Sequence, residues 1–150
     1  MDYIQQLRQL IGHRPILMLG AVTLILNEDN HLLMMKRTDS GYWGIPGGAV
    51  ELGEVIEDAA RRETREETNL EVNEMSLFGV FSGPELYYKY PNGDEVYNVS
   101  IVYVSHKWRG EIKLNEEHSE WNWFAAGNLP EDFSPPIFTI LDQFKLKFST

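Results

Sequence analysis

Residues 54–69 run without a glycine or proline, and no other stretch constrains the fold so tightly. A helix turns about 100° per residue, so with Glu63 as zero, Ile56, Ala59, Ala60 and Leu70 fall within roughly 60° of it. That is the face expected to pack inward. Glu57, Asp58, Arg61, Arg65 and Thr68 gather at roughly 120° to 220°, an ordinary solvated face. Glu66 and Glu67 fall at about 300° and 40°, so Glu63, Glu66 and Glu67 sit among the inward residues. Like charges at this spacing cost about 0.2–0.5 kcal/mol per pair even in water, and burial raises that cost.

Two readings compete for these acids. In the plainer one the helix end is exposed and the acids pair with Arg62 and Arg65; Arg62 reaches Glu66 at i+4. Against it, Glu57 and Asp58 already furnish acids to the solvated face, so the inward three are not overflow. The helix also follows Gly47-Gly48, whose backbone can approach a ligand closely. Carboxylates and a backbone carbonyl on a rigid support are the oxygen ligands that a hard cation such as Mg²⁺ requires. Mg²⁺ completes its shell with waters and substrate phosphates, which points to phosphate-bearing small molecules.

Composition narrows the field further. The 150 residues, 43% of them hydrophobic, suit one globular domain, 1–150, with a short helix at 2–11 as an extension. There is no cysteine, which excludes disulfides and thiolate chemistry and fits a reducing compartment. The formal net charge of −10 makes a nucleic-acid polymer or an anionic membrane a poor partner. Residues 15–26 are nearly all apolar but too few to span a bilayer, and no basic region precedes them, so a cytoplasmic protein is expected.

Strands are expected at 15–26 and 31–37, joined by the turn formers 27–30, and then at 77–82, 85–90, 96–108 and 119–124. A glycine-rich loop occupies 38–48, Pro91-Asn92-Gly93-Asp94 reads as a hairpin turn, and a last helix is expected over 135–148. The order predicts an α+β fold with a mixed sheet packed between helices.

Gly48, Glu54 and the run Arg62-Glu63-Thr64-Arg65-Glu66-Glu67-Thr68-Asn69-Leu70 are spaced as in the Nudix box, and the segment resembles it at six of seven fixed positions over 23 residues. Trp43-Gly44-Ile45-Pro46-Gly47-Gly48 is similar to that family's lead-in, and Trp123-Phe124 with Leu129-Pro130 to its final strand and exit. Thr64 stands where an aliphatic is usual, and Asn69 where glycine closes the helix; asparagine is the next-best residue in the left-handed conformation. The resemblance implies an α/β/α sandwich that hydrolyses the pyrophosphate of a nucleoside diphosphate derivative with Mg²⁺ or Mn²⁺. It implies Glu63, Glu66, Glu67 and the Gly47 carbonyl as metal ligands, Glu54 as support and Arg62 as the group that orients the carboxylates. Glu63 is one option for the general base.

Outside the box, Glu117 is the favoured extra carboxylate, with a solvated acidic turn as the plainer reading. His118 reads as a surface histidine. Arg37, with Lys36, is a candidate phosphate contact, and Trp43, Tyr87, Tyr88 and Tyr97 are candidates for stacking on a base, although most such aromatics are core. Pro84 lies fourteen residues beyond Leu70, near where the resemblance associates a proline with ADP-ribose hydrolases. The expected substrate is therefore a small nucleotide, leaning to ADP-ribose or another nucleoside diphosphate sugar. A nucleoside triphosphate pyrophosphatase is the alternative, and a nucleotide-sensing module without catalysis a third option. A homodimer is left open, with helix 2–11 as one candidate interface.

Overall fold

The longest apolar run forms strand β1 (Ile16–Ile25), which sits inside the main sheet. A computed structural model describes residues 1–149. Helix α1 (Tyr3–Ile11) precedes β1, opened by an Asp2–Gln5 capping box and closed at Gly12 with φ 67°. After β1 come β2 (Leu32–Arg37), β3 (Trp43–Gly44) and β4 (Gly47–Ala49). Helix α2 (Ile56–Thr68) leads into β5 (Glu71–Phe81), then β6 (Tyr87–Lys89), β7 (Glu95–Arg109), β8 (His118–Phe124) and α3 (Phe138–Phe148).

The fold is mixed α+β, as expected, with the strands divided between two sheets. The main sheet runs β4-β1-β7-β5, with β6 also on β7; β1 and β7 pair in parallel and the remaining pairs are antiparallel. The second sheet runs β3-β2-β8. Between them Leu24, Leu26, Leu32, Met34 and Val102 meet Ile140, Leu141 and Phe144 of α3. On the other face of the main sheet, Ala59 and Ala60 of α2 pack with Ala21 and Tyr103, the small alanines letting the helix lie close to the strands.

Several local expectations are corrected. The glycine-rich loop at 38–48 contains β3 and β4, too short to carry a strand pattern of their own. The strand expected at 77–82 begins at Glu71, because the polar residues of its first half are solvent-facing while Val72 is buried. The first turn of the last helix is a 3₁₀ turn, Pro135–Ile137. Thr68, expected in solvent, is fully buried: its hydroxyl donates to the Thr64 carbonyl at 2.6 Å and accepts from the Leu70 N–H at 3.2 Å. Thr64 is likewise buried and bonds back to Ala60 at 2.8 Å. Because both hydroxyls find backbone partners, the buried face of α2 is centred about 60° round toward Thr64.

Asn69 closes α2 in the left-handed conformation, φ 69°, and its side chain donates to the Glu111 carbonyl at 3.1 Å. Asn69→Ala places a Cβ in that conformation and loses the bond, so chemical denaturation is expected to show a loss of about 1–2 kcal/mol. Asn69→Gly is expected to stay within about 0.5 kcal/mol of the parent, since the glycine backbone accepts that conformation without strain.

Candidate active site

The antiparallel pairing of β4 with β1 brings Gly47 and Gly48 opposite Val22 and Ala21, and α2 lies over this edge. A Cβ on Gly47 would meet the Ala21 carbonyl and the Val22 side chain at 2.8 Å, and a Cβ on Gly48 would overlap the Glu63 carboxylate. Both glycines are therefore required by close approach rather than by an unusual φ. Behind them, Glu67 is 4% exposed and accepts one hydrogen bond from the Gly47 N–H at 2.9 Å. Burial pushes its carboxyl well above the ordinary carboxylate range. Glu63 is half-buried and also raised, chiefly by desolvation, with Arg62 opposing. Glu66, expected on the inward face, is a correction: the buried face of α2 is turned toward Thr64 and leaves Glu66 exposed.

Arg62 ties these acids together. Its Nε and Nη2 fork onto Glu54 at 2.7 and 2.9 Å, its Nη1 reaches Glu63 at 2.9 Å and Glu66 at 3.4 Å, and Nη2 also donates to the Ala49 carbonyl at 3.2 Å. Hydrogen bonding to Arg62 holds Glu54 below its ordinary range. Removing the guanidinium leaves two half-buried carboxylates unpaired; Arg62→Ala is expected to cost about 2–3 kcal/mol in urea denaturation. Arg62→Lys is expected to recover only part, because an ammonium cannot reproduce the fork.

The start of β8 brings a second set of groups to the same place. Ligand atoms of Glu67, Glu117 and His118 lie within 4.8 Å of one another. Glu117, a residue of the loop, faces the box acids and helps raise both Glu63 and Glu67. His118 is a correction: the expected surface histidine is buried, its Nδ1 has no hydrogen-bond partner, and burial pushes its pKa down to about 4. Its neighbours Glu117 and Ser119 are exposed, so nothing local in the sequence marks it as inward.

A cavity of about 350 Å³ adjoins the glycines, lined by Gly47, Gly48, Arg37, His118, Asn98 and Tyr90 among others. A second of about 300 Å³ shares Arg37 and Tyr90 with it and adds Tyr42 and Tyr88. Arg37 stands at the junction, its guanidinium forked onto Asp39 at 3.0 and 2.9 Å. Trp43 is the second correction: it is a core residue, packed edge-on against Phe124 with ring centroids 5.0 Å apart. Tyr87 and Tyr97 pack against each other with tilted rings, centroids 5.2 Å apart, on the opposite face of the main sheet, leaving Tyr88 as the expected aromatic that faces a cavity. Tyr90, missed in the sequence, follows from the alternation of β6, two residues beyond Tyr88. Pro84 opens the 3₁₀ turn Pro84–Leu86, and the Leu86 carbonyl accepts from Asn98 Nδ2 at 3.0 Å, fixing that cavity-lining amide.

The donor set fits a divalent cation. Glu67, Glu117 and His118 converge, with the half-buried Glu63 beside the Gly48 wall, while Arg62 is occupied with Glu54 and Glu63 and Arg37 with Asp39. Uncompensated, this much buried acid is unfavourable; a bound cation removes the conflict and offers phosphate oxygens a counter-charge.

Known proteins are similar to this chain in sequence and fold. A family model for the NUDIX domain matches residues 17–144. The ADP-ribose pyrophosphatase of Methanocaldococcus jannaschii is 38% identical over 114 residues, covering 74% of this chain; the chain spans 64% of that relative's length. The nucleoside triphosphatase NudI of Escherichia coli K12 is 35% identical over 117 residues, covering 73% of this chain and 79% of the relative. Among solved structures, the MutT NUDIX hydrolase of Burkholderia pseudomallei superposes with a TM-score of 0.72 at 28% identity, over 87% of this chain and 98% of the other. Sequence and fold agree, and the chain belongs to the Nudix hydrolase family.

Proposed function

We propose that this chain hydrolyses the pyrophosphate of a nucleoside diphosphate derivative by in-line attack of water on phosphorus. The observation that carries the reading is the convergence of Glu63, Glu67 and Glu117 on the Gly47–Gly48 wall of a nucleotide-sized cavity. Glu63, Glu66, Glu67 and the Gly47 carbonyl are the proposed holders of a divalent cation, Mg²⁺ by its oxygen ligands, with Mn²⁺ also served by the His118 nitrogen. Such an ion supplies charge neutralisation at the phosphates. Glu117 is the proposed acceptor of the water's proton, with Glu63 as the other option. Arg62 orients Glu63 and Glu66, Gly48 leaves room for the phosphates, and Arg37 is the proposed phosphate contact at the junction of the two cavities. The phosphorus–oxygen bond to water forms as the bridging oxygen departs, with no covalent enzyme intermediate.

Two adjoining cavities flanking Arg37 favour a substrate with a group at each end of its pyrophosphate, as in ADP-ribose or another nucleoside diphosphate sugar. A nucleoside triphosphate, the class on which NudI acts by its name, is the second reading, favoured by that relative's coverage. A substrate panel decides between them: ADP-ribose, other nucleoside diphosphate sugars and nucleoside triphosphates, with phosphate-bearing products followed under Mg²⁺ and Mn²⁺. Highest kcat/KM on a nucleoside diphosphate sugar is expected; preference for triphosphates selects the second reading. Nucleotide binding without turnover of any member would make the chain a sensing module. Among the described residues no helix is long and apolar enough to cross a membrane, and a cytoplasmic site of action is part of this proposal.

A further inference from the structure

Helix α1 stands outside the residues that the NUDIX model matches, 17–144, yet it borders the same cavity as Gly47 and Gly48. A nine-residue helix is marginal unless packing supports it, and α1 has no buried residue. Polar anchors hold its C-terminal end to the β6–β7 hairpin. Arg8 Nη2 donates to the Glu95 carbonyl at 2.7 Å and Nη1 to the Arg14 carbonyl at 2.7 Å. His13 Nδ1 meets Asp94 at 2.7 Å, and the Glu95 N–H donates to the His13 carbonyl at 3.3 Å. At the N-terminal end the Tyr3 N–H donates to Glu51 at 3.4 Å, a long bond. The Glu51 N–H in turn donates to Glu54, the acid onto which Arg62 forks. These ties set Ile4 at the cavity, half-buried, while Leu10 of the same helix is 83% exposed.

We propose that α1 is a wall of the substrate pocket, with Ile4 resting on the bound nucleoside and Arg8 positioning the helix that carries it. This role rests on the reading of that cavity as the nucleotide pocket. The phosphates belong at its other end, by Gly48 and Arg37, because an anion stripped of water against hydrocarbon is unfavourable. Around Ile4 the cavity presents Met18, Val22, Ile45, Ile137 and Ile140, a surface that suits the face of a base. Met18 pairs with Asn98 and Gly20 with Ser100, so the sheet places one amide and one hydroxyl on the same floor, where they can meet the edge of that base. In the free chain the apolar side of α1 is only half covered. A nucleoside in the cavity supplies the missing cover for Ile4, so binding stabilises α1 together with the pocket.

Amide hydrogen exchange of the full chain with AMP or GMP tests this without catalysis, since neither has a pyrophosphate to cleave. Either nucleotide is expected to slow exchange over residues 3–11 by about fivefold. Exchange over 3–11 that neither nucleotide changes overturns the proposal. On the best-hydrolysed nucleotide, Ile4→Ala is expected to raise KM about tenfold and to leave kcat within about twofold, the mark of lost binding rather than lost chemistry. Arg8→Ala frees the helix from the hairpin and is expected to raise KM in the same way, while quickening exchange over 3–11 in the free chain. Leu10→Ala, on the exposed side of α1, is the control and is expected to change neither constant. An unchanged KM in Ile4→Ala, or an equal rise in Leu10→Ala, overturns the proposal. A chain that hydrolyses no nucleotide but shows slowed exchange over 3–11 overturns the catalytic reading and supports the role of α1.

Discussion

Glu67→Gln is expected to lower kcat/KM by on the order of 10³-fold while the folded structure persists. The amide keeps the Glu67 carbonyl that accepts from the Gly47 N–H at 2.9 Å, so the local geometry has no reason to change. What is lost is the charge. In the parent chain burial raises the Glu67 carboxyl well above its ordinary range, so ionising it without a cation is unfavourable. A neutral amide removes that conflict. The variant without added metal is therefore expected to melt at the parent's temperature or above it. Adding Mg²⁺ is expected to raise the melting temperature of the parent chain and to leave that of the variant nearly unchanged, because an ion stabilises only the state that binds it. Equal metal-induced shifts in the two proteins would remove Glu67 from the ligand set.

Gly48→Ala is the second large effect. The backbone at Gly48 needs no positive φ, so the substitution tests space alone. Its Cβ would overlap the Glu63 carboxylate, and Glu63 cannot simply swing aside, because Arg62 Nη1 holds it at 2.9 Å while also engaging Glu54. Overpacking of this kind costs about 1–3 kcal/mol. Displacing a catalytic carboxylate by on the order of 1 Å costs on the order of 100-fold in rate. The expected result is a folded, less stable protein with kcat reduced at least that far. Gly53→Ala, in the turn before α2 with nothing within 4 Å of the added Cβ but φ 78°, is expected to lose stability and to keep most of its activity.

The parts of this site that were legible in the sequence share one property: their information is local. The periodicity of residues 54–69 located α2 and put Glu63, Glu66 and Glu67 on its inner side, of which Glu63 and Glu67 are inward and Glu66 is exposed, and Asn69 marked the end of the helix. Gly47 and Gly48 signalled close approach before the neighbour they approach was known. What was not legible depends on pairing between distant strands. His118 looks like a surface residue among Glu116, Glu117 and Ser119, and becomes buried only because β8 pairs with β2 and sets it opposite Arg37. Trp43 has the composition of a stacking residue, but β3 turns it into the core beside Phe124. Thr68 was misplaced because a helical wheel counts a hydroxyl as polar, whereas this one is satisfied by the backbone of its own helix. Leu17 and Leu19 read as ordinary core in a run of apolar residues, and only the limited reach of α2 leaves them uncovered.

In the proposed reaction water, activated among these carboxylates, attacks phosphorus in the presence of a divalent cation. Phosphorus NMR of the best substrate's turnover in ¹⁸O-labelled water measures this directly. One labelled oxygen is expected on one of the two phosphate-bearing products, with no turnover when the cation is chelated. Products that carry no label, or hydrolysis that continues undiminished under chelation, would contradict it.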